Sequence, residues 1–484
     1  MTKICMPIGA EYIIEQLNKH GYEAYIVGGC VRDSLLDKNP NDWDITTSAT
    51  PLQVKEIFKR TVDTGIQHGT VTVLVDKDIV AKGRPEHAGI YAFEVTTYRI
   101  DGKYEDHRRP TEVLFTASLE EDLKRRDFTI NAMAYNDTDG VIDIFGGIDD
   151  LNNHVVRCVG NPSDRFDEDA LRILRAVRFA AQLGFEIDDA TKDAMTERAD
   201  TLKDVSAERI RVELVKLLIS NHPEKMGEVS GKLADLTIIT SDNPKRLIEA
   251  YNLGITEIIL PEFNEMMKTQ QNNPHHLYSV GMHTIKVMEN VPNTPAYRYA
   301  ALFHDVGKPA CKHTGEDGID HFYGHHKVSE KMAKDILRRL KMDNATINQV
   351  SRTVLYHDYG ISWKADEISI KAFRRFVAKL GIENAVDFFV IREADVAGQS
   401  DYRLEEKNKA LNKMKEMYNI IKEEAHCLKI SDLAIDGKVL MDLGMKPGKD
   451  MGDMLSYLLE LVLDEPKLNE KEKLISLVED KLKN

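Results

Sequence analysis

Five cysteines in 484 residues, Cys5, Cys30, Cys158, Cys311 and Cys427, stand far apart, and none forms a CxxC pair. That spacing excludes a disulfide framework and a thiolate zinc site, and it fits a reducing cytoplasm. No uninterrupted apolar run approaches the roughly 20 residues that a bilayer-crossing helix needs, so no membrane partner is expected. The opening MTKICMPIGAEYIIEQLNKHG has no apolar stretch ending in a small-residue cleavage site, and the expectation is a chain without a signal peptide. Positive charge is also in short supply. Lys and Arg total 65 against 80 Asp and Glu, a formal net charge of −15. This balance argues against a protein that coats nucleic acid indiscriminately through counterion release. It leaves room for a local basic face turned toward one RNA shape. No repeat with a period of about 20–50 residues and no low-complexity tract is present.

What is there suffices for several cores: 42% of the residues are hydrophobic, and the length suggests about three domains at roughly 150 residues each. The first stretch reads as α/β. A helical pattern from Ala10 to His20 leads to the apolar strand AYIVGG, then VRDSLL, WDITTS and the helical PLQVKEIFKR. TVTVLV and YAFEVTTYRI read as strands, the polar DGKYEDHRR as a mobile loop, EEDLKRRDFTINAMAYN as helix and VIDIFGG as a closing strand. From Asp149 the strand signals thin out, and SDRFDEDALRILRAVRFAAQLGF and SAERIRVELVKLLIS both carry helical periodicity. The expected organisation is a head over 1–148, a helical neck over 149–220, a body segment over 221–274, a histidine-rich domain over 275–400 and a helical tail over 401–484.

Asp42 and Asp44 flank Trp43 at the head of a strand-like run, and residues two apart on a strand project to one side. Carboxylates held so close repel each other, which makes sense around divalent cations; the alternative is a solvated turn. The preceding GGCVRD weighs toward the cations. Gly28 and Gly29 end a strand, and the chain then enters a helix near Val31, offering free N–H groups to a triphosphate with Arg32 supplying charge. Glu94, in FEVTT on a later strand, is either a third carboxylate or a solvated strand residue.

These motifs together resemble the class II CCA-adding tRNA nucleotidyltransferases and the related bacterial poly(A) polymerases. The resemblance runs through GGCVRD, DWDITTSATP, TGIQHGTVTVL, FEVTTYR, LKRRDFTINAMAYN, VIDIFGG and RFDEDALRILRAVRFAAQLGF, covering some two hundred residues. It implies an α+β chain: a polymerase-β-like nucleotidyltransferase head with a small mixed sheet, then a mostly α-helical neck, body and tail. It also implies that Asp42 and Asp44 bind Mg²⁺ and that GGCVRD holds a triphosphate. Arg125, Arg126, Asp127 and Asn131 would contact ribose and phosphates; paired arginines suit phosphate in any case. His107–Arg109 matches the family's flexible loop, which is associated with adding the terminal adenine.

In EDALR, Glu168 precedes Asp169 and Arg172, which the helical pattern predicts as neighbours three apart on one face. They are either a weak surface ion pair or a reader of base edges. An aspartate accepts from the exocyclic amine of cytosine or adenine while an arginine donates to the adjacent ring nitrogen; uracil and guanine present the opposite pattern. The resemblance assigns that template role to the same two positions. Arg175 and Arg178 continue the spacing, either as a basic stripe reaching RNA phosphate or as partners of acids in the neck.

The later segment holds His283 in GMHTIKVMEN, His304 and Asp305 in ALFHDVGKP, His325 and His326 in FYGHHKV, His357 in YHD and Asp395 in READVAG. Several His and Asp residues at helix-compatible positions can enclose one or two metals. Their order resembles the HD phosphohydrolase superfamily. His283, His304, Asp305 and Asp395 match its core ligands, His325 and His357 the additional positions of two-metal members, and Lys308 a phosphate holder. His326 departs from the acidic residue expected there. Imidazole-rich ligation favours one or two transition-metal ions over Mg²⁺. The tail's GMKPGKDMG either approaches RNA backbone or is an ordinary helical corner.

The reading is a cytoplasmic enzyme that adds C, C and A to tRNA from CTP and ATP, with an embedded metal phosphohydrolase and no obligate protein partner. A poly(A) polymerase, an A-adding enzyme, and a phosphohydrolase with an RNA-binding nucleotidyltransferase-like half are the alternatives.

Overall fold

The computed structural model describes residues 3–76, 79, 91–101, 104–105, 109–110, 113–220, 229–233, 236–239, 243–358, 367–423 and 427–483. Two compact units emerge: Met1–Pro223 with Lys245–Pro261, and Glu224–Pro244 with Glu262–Asn484. The α+β class is as expected, with the sheet confined to the start of the first unit and helices dominating the rest. Among the described residues, no helix is long and apolar enough to cross a membrane.

Seven strands build the sheet: β1 (Ala24–Val27), β2 (Ile45–Thr47), β3 (Thr61–Gly65), β4 (Thr70–Leu74), β5 (Ala92–Thr97), β6 (Met133–Asn136) and β7 (Gly140–Asp143). Their spatial order is β7-β6-β1-β2-β5-β4-β3. β2 and β5 run parallel, with Ile45 opposite Val95 and Thr46 opposite Thr96; the other pairings are antiparallel. Period-two alternation decides which face is covered. Phe93, Val95 and Thr97 are buried on β5 while Ala92 and Glu94 are exposed, and Val71 and Val73 do the same on β4.

Three stretches depart from their sequence pattern. In EEDLKRRDFTINAMAYN the helix stops at Lys124, and Met133–Asn136 becomes β6 between β1 and β7. All four β6 residues are buried, so both faces are covered and no alternation betrays the strand. The pattern SDRFDEDALRILRAVRFAAQLGF is two helices, Pro162–Glu168 and Leu171–Leu183, broken at Asp169, whose φ of −145° and ψ of 101° are extended. Its Oδ1 accepts from the Leu171 N–H at 3.1 Å, a local side-chain bond that competes with helix continuation. Asp169 and Arg172 therefore do not share one helix face. In DGKYEDHRR, Tyr104–Glu105 pairs antiparallel with Arg109–Pro110 where a loop was predicted; His107 and Arg108 lie outside the described residues.

The second unit is a helical array. Val280–Glu289, Pro295–Phe303, His325–Arg339, Asn344–Tyr356 and Ala385–Ala397 pack on one another around Ile285, Leu302, Phe303, Leu337, Val354 and Val390. Further on, Gly437–Asp442, Lys449–Asp464 and Lys471–Lys483 close over Leu440, Leu458, Val462, Leu474 and Val478. The glycine corner ends at Gly448, where Lys449–Asp464 begins.

Candidate functional site

Asp44 immediately precedes Ile45, and Glu94 immediately precedes its in-register partner Val95. Because Ile45 and Val95 share the buried face, Asp44 and Glu94 share the opposite one. Asp42, two residues earlier and separated from Asp44 by the buried Trp43, is exposed as well. Asp44 is open to solvent yet crowded by protein. That crowding pushes its carboxyl up, Arg126 pulls it back, and Glu94 and Asp42 push it up again. Mutually repelling carboxylates gathered at one face of the sheet are a fitting donor set for a hard divalent cation.

The turn beside them is shaped by Gly28, at φ 81° and ψ −127°, which a side chain rarely adopts. A Cβ there would also sit 3.0 Å from a terminal nitrogen of Arg126. Gly29 opens the short helix Gly29–Leu35. From it the buried Arg32 donates to the Asn131 side-chain oxygen at 2.6 Å, and Asn131 donates to Asp127 at 3.1 Å. Asp127 also accepts from Arg175 at 2.8 Å. Burial opposes ionisation of Asp127, but Arg175 and Arg172 outweigh it and hold the carboxyl at about 2.

Arg125 and Arg126 are held from beneath by the fully buried Asp122. It accepts from Arg125 at 2.7 Å, from Arg126 at 3.4 Å and from the Thr46 hydroxyl at 3.0 Å. Sequence reading missed Asp122, although its spacing of three and four before the two arginines is the signal of a helical ion pair.

In the neck, Asp169 finds its cation in Arg209, which donates to Oδ2 at 2.7 Å. Arg172 donates to Glu168 at 2.6 Å and to the Arg125 carbonyl at 2.9 Å. Arg178 donates to Glu213 in the neck, while Arg175 donates to Asp127 in the head. Arg32, Arg175 and Arg178 also surround one ring, with guanidinium carbons 5.0, 5.4 and 3.9 Å from the Phe179 centroid.

The second unit gathers the predicted histidines into two adjoining triads. His283, His304 and Asp395 form one; Asp305, His325 and His357 form the other; all six are buried. Each imidazole faces a carbonyl through Nδ1: His283 to Gly398 at 3.1 Å, His304 to Ala301 at 2.7 Å, His325 to Phe322 at 2.8 Å and His357 to Val354 at 2.7 Å. A carbonyl only accepts, so each Nδ1 carries a proton, and in the neutral ring each Nε2 is left with a lone pair. Those lone pairs converge: His283 and His304 Nε2 are 3.4 Å apart, His325 and His357 Nε2 3.3 Å. Asp305 lies between the triads, Oδ2 3.2 Å from His304 and Oδ1 3.3 Å from His325. Bare nitrogens facing one another across a shared carboxylate fit one or two cations.

A cavity of about 160 Å³ opens onto this cluster, lined by Asp305, His325, His357 and Asp395 and also by His276 and Lys308. Lys308 donates to Asp305 at 2.7 Å and to Gln271 at 2.9 Å. Arg392 donates to the His357 carbonyl, and Gln399 to Asp395, each at 3.0 Å. Both were missed in the sequence, though they stand one helical turn either side of Asp395. His276 was also missed; burial, with Lys308 and His283 beside it, pushes it down to about 2, which leaves it neutral. His326 is half-buried and belongs to neither triad.

The model of the poly A polymerase head domain matches residues 24–157, that of the RNA and SrmB binding site of polymerase A matches 184–228, and that of tRNA nucleotidyltransferase domain 2 matches 313–478. The CCA-adding enzyme of Lactobacillus helveticus (strain DPC 4571) is 33% identical over 479 residues, 98% of this chain and 97% of that protein. The chain belongs to the CCA-adding enzyme family. The CCA-adding enzyme of Enterococcus faecalis is 52% identical over 207 residues, which span 43% of this chain and 48% of that protein. The crystal structure of the Bacillus stearothermophilus CCA-adding enzyme in complex with CTP has a TM-score of 0.65 at 27% identity, covering 99% of this chain and 100% of that one. The Thermotoga maritima CCA-adding enzyme complexed with tRNA shares the fold, with a TM-score of 0.55 at 21% identity over 97% of this chain and 94% of that one. This member of the CCA-adding enzyme family is thus a nucleotidyltransferase.

Proposed function

We propose that the chain, in the cytoplasm, adds C, C and A to the 3′ end of tRNA from CTP and ATP. The observation that carries this reading is the meeting of Asp42, Asp44 and Glu94 at one face of the sheet beside the Gly28 turn and Arg126. Asp42, Asp44 and Glu94 would hold Mg²⁺, which when bound neutralises the leaving pyrophosphate and activates the attacking 3′-hydroxyl. Gly28 and Gly29 leave room for the triphosphate, while Arg32, Arg125 and Arg126 supply positive charge to it. Asp127 and Asn131 orient Arg32 and Arg175 and would contact the ribose. Asp169 accepts from the base's exocyclic amine and Arg172 donates to its ring nitrogen, which admits C and A and refuses U and G. Incubation of purified protein with tRNA lacking CCA and each NTP in turn, followed by sequencing of the 3′ ends, tests this. Ends reading CCA support it; A alone marks an A-adding enzyme, and a long A tract marks a poly(A) polymerase.

The histidine cluster supports a second activity, hydrolysis of phosphoesters. His283, His304, Asp395, Asp305, His325 and His357 would hold one or two transition-metal ions, which when bound lower the pKa of an attacking water. Lys308 binds the phosphate, while Arg392 and Gln399 hold the ligand-bearing segment in place. Assay of chromogenic phosphoesters across Mn²⁺, Ni²⁺, Co²⁺ and Mg²⁺ tests it. A protein that takes up no metal and hydrolyses none of them has a structural cluster.

A further inference from the structure

The two proposed base-reading residues carry opposite charges three positions apart, and left to themselves they would neutralise each other. An arginine satisfied by its own aspartate has less to offer a base, and the aspartate likewise. The structure shows what prevents this. The helix ends at Glu168, and Asp169 stands in extended backbone. Its two carboxylate oxygens are claimed separately: Oδ1 by the Leu171 N–H at 3.1 Å and Oδ2 by Arg209 at 2.7 Å. Arg172 is drawn the other way, to Glu168 at 2.6 Å.

We propose that Arg209, on the neighbouring neck helix Ala207–Leu218, is a specificity-determining positioning residue that fixes the carboxylate plane of Asp169 for base selection. This rests on the reading of Asp169 as the acceptor of the base's amine. An aspartate's terminal torsion is broad and roughly two-fold, so an unrestrained carboxylate presents its oxygens over a wide arc. One oxygen held by a main-chain N–H and the other by a guanidinium define a single plane. A carboxylate has about four lone-pair sites, and two are then left at fixed positions. One of them can meet an exocyclic amine; a carbonyl oxygen brought to the same place meets only repulsion. Selectivity thus depends on the plane being fixed as well as on the charge being present. The pair is partly shielded from water, with side-chain exposures of 26% for Arg209 and 19% for Asp169, so it is stronger than a fully exposed ion pair. Arginine suits the task because its planar donor fork sets orientation as well as charge.

The test measures incorporation efficiencies for CTP, ATP and UTP on tRNA acceptors in wild type, Asp169→Ala, Arg209→Ala, Arg209→Lys and the double variant Asp169→Ala/Arg209→Ala, with thermal melting of each. Arg209→Ala is expected to lower the CTP-to-UTP ratio roughly tenfold, the effect of losing one charge-assisted bond. Arg209→Lys should recover part of that ratio, and the double variant should be no less selective than Asp169→Ala alone. If Asp169→Ala changes the ratio while both Arg209 variants keep the wild-type value, Arg209 is a structural ion pair and the inference is wrong. Additive effects in the double variant would overturn it equally. If Asp169→Ala itself leaves the ratio unchanged, it is the base-reading assignment that fails. Should Arg209→Ala not fold, the lysine variant decides between the first two outcomes.

Discussion

Arg172 donates to the main-chain carbonyl of Arg125 at 2.9 Å, so the neck residue assigned to the base is tied directly to the arginine pair assigned to phosphate. A guanidinium with one nitrogen on Glu168 and another on Arg125 is set in position and direction together. In the proposed reading, one side chain thereby links recognition of the two ends of a nucleotide.

Arg172→Ala should therefore do two things. It should admit UTP, because the donor that opposes the uracil ring N–H is gone, lowering the CTP-to-UTP efficiency ratio by about 1–3 kcal/mol of discrimination. It should also raise KM for CTP and ATP alike. Steady-state kinetics with each NTP measures both, and an unaltered ratio in a folded, active variant would sink the base-reading role.

Asp42→Ala or Asp44→Ala should abolish nucleotide addition and leave the fold intact, since each removes a carboxylate that repels its neighbours when no cation is present. Incorporation of labelled CTP, with circular dichroism as the control for folding, checks this. Substantial activity in both variants would place the site elsewhere.

Asp122→Asn should weaken the grip on the triphosphate without touching it. The amide cannot balance two arginines, and breaking a buried charged set typically costs about 3–5 kcal/mol. The expected signature is a lower melting temperature together with a raised KM for CTP. A lower melting temperature with KM unchanged would show that Arg125 and Arg126 do not meet the nucleotide.

Asp127 gives a pH dependence whose sign can be worked out. Its carboxyl lies at about 2 in the folded chain against an ordinary 3.8. A depressed carboxyl stabilises the fold above its ordinary value and loses that contribution as pH falls toward the folded one. About 2 kcal/mol should disappear between roughly pH 4 and pH 2 in the wild type. Asp127→Asn should be less stable near neutrality and flatter across that acid window, as read from urea unfolding at several pH values.

His304→Ala or Asp305→Ala should remove bound transition metal and any phosphoester hydrolysis while sparing CTP and ATP incorporation. Metal analysis of the purified variants beside both activity assays decides it. Joint loss of the two activities in a folded variant would mean that the two centres are not independent.

The gathering of the histidines was legible because the order His, His-Asp, His, His and Asp resembles that of a metal-binding superfamily, and the two triads bring those same residues together. The carboxylate group was legible because Asp42 and Asp44 stand two apart and Glu94 sits in an alternating strand. What escaped was held by tertiary partners. Arg209 lies forty positions from Asp169, and no local pattern links them. The strand Met133–Asn136 was hidden because burial on both faces erases alternation, and the break at Asp169 was hidden because one side-chain bond outweighed an otherwise continuous helical period.

Strand β5 lies between β2 and β4, although β3 and β4 precede it in the chain. Asp44 and Glu94 can become neighbours only after β5 has emerged and slotted into that gap. A ribosome must therefore deliver the β3–β4 hairpin and then β5 before the carboxylates are gathered at all. Nascent chains ending short of Thr97 carry Asp42 and Asp44 without Glu94 set beside them. The trio proposed to hold a cation is thus complete early in synthesis, with most of the chain still to be made, and a slip of β5 by one residue would turn Glu94 into the core and erase it.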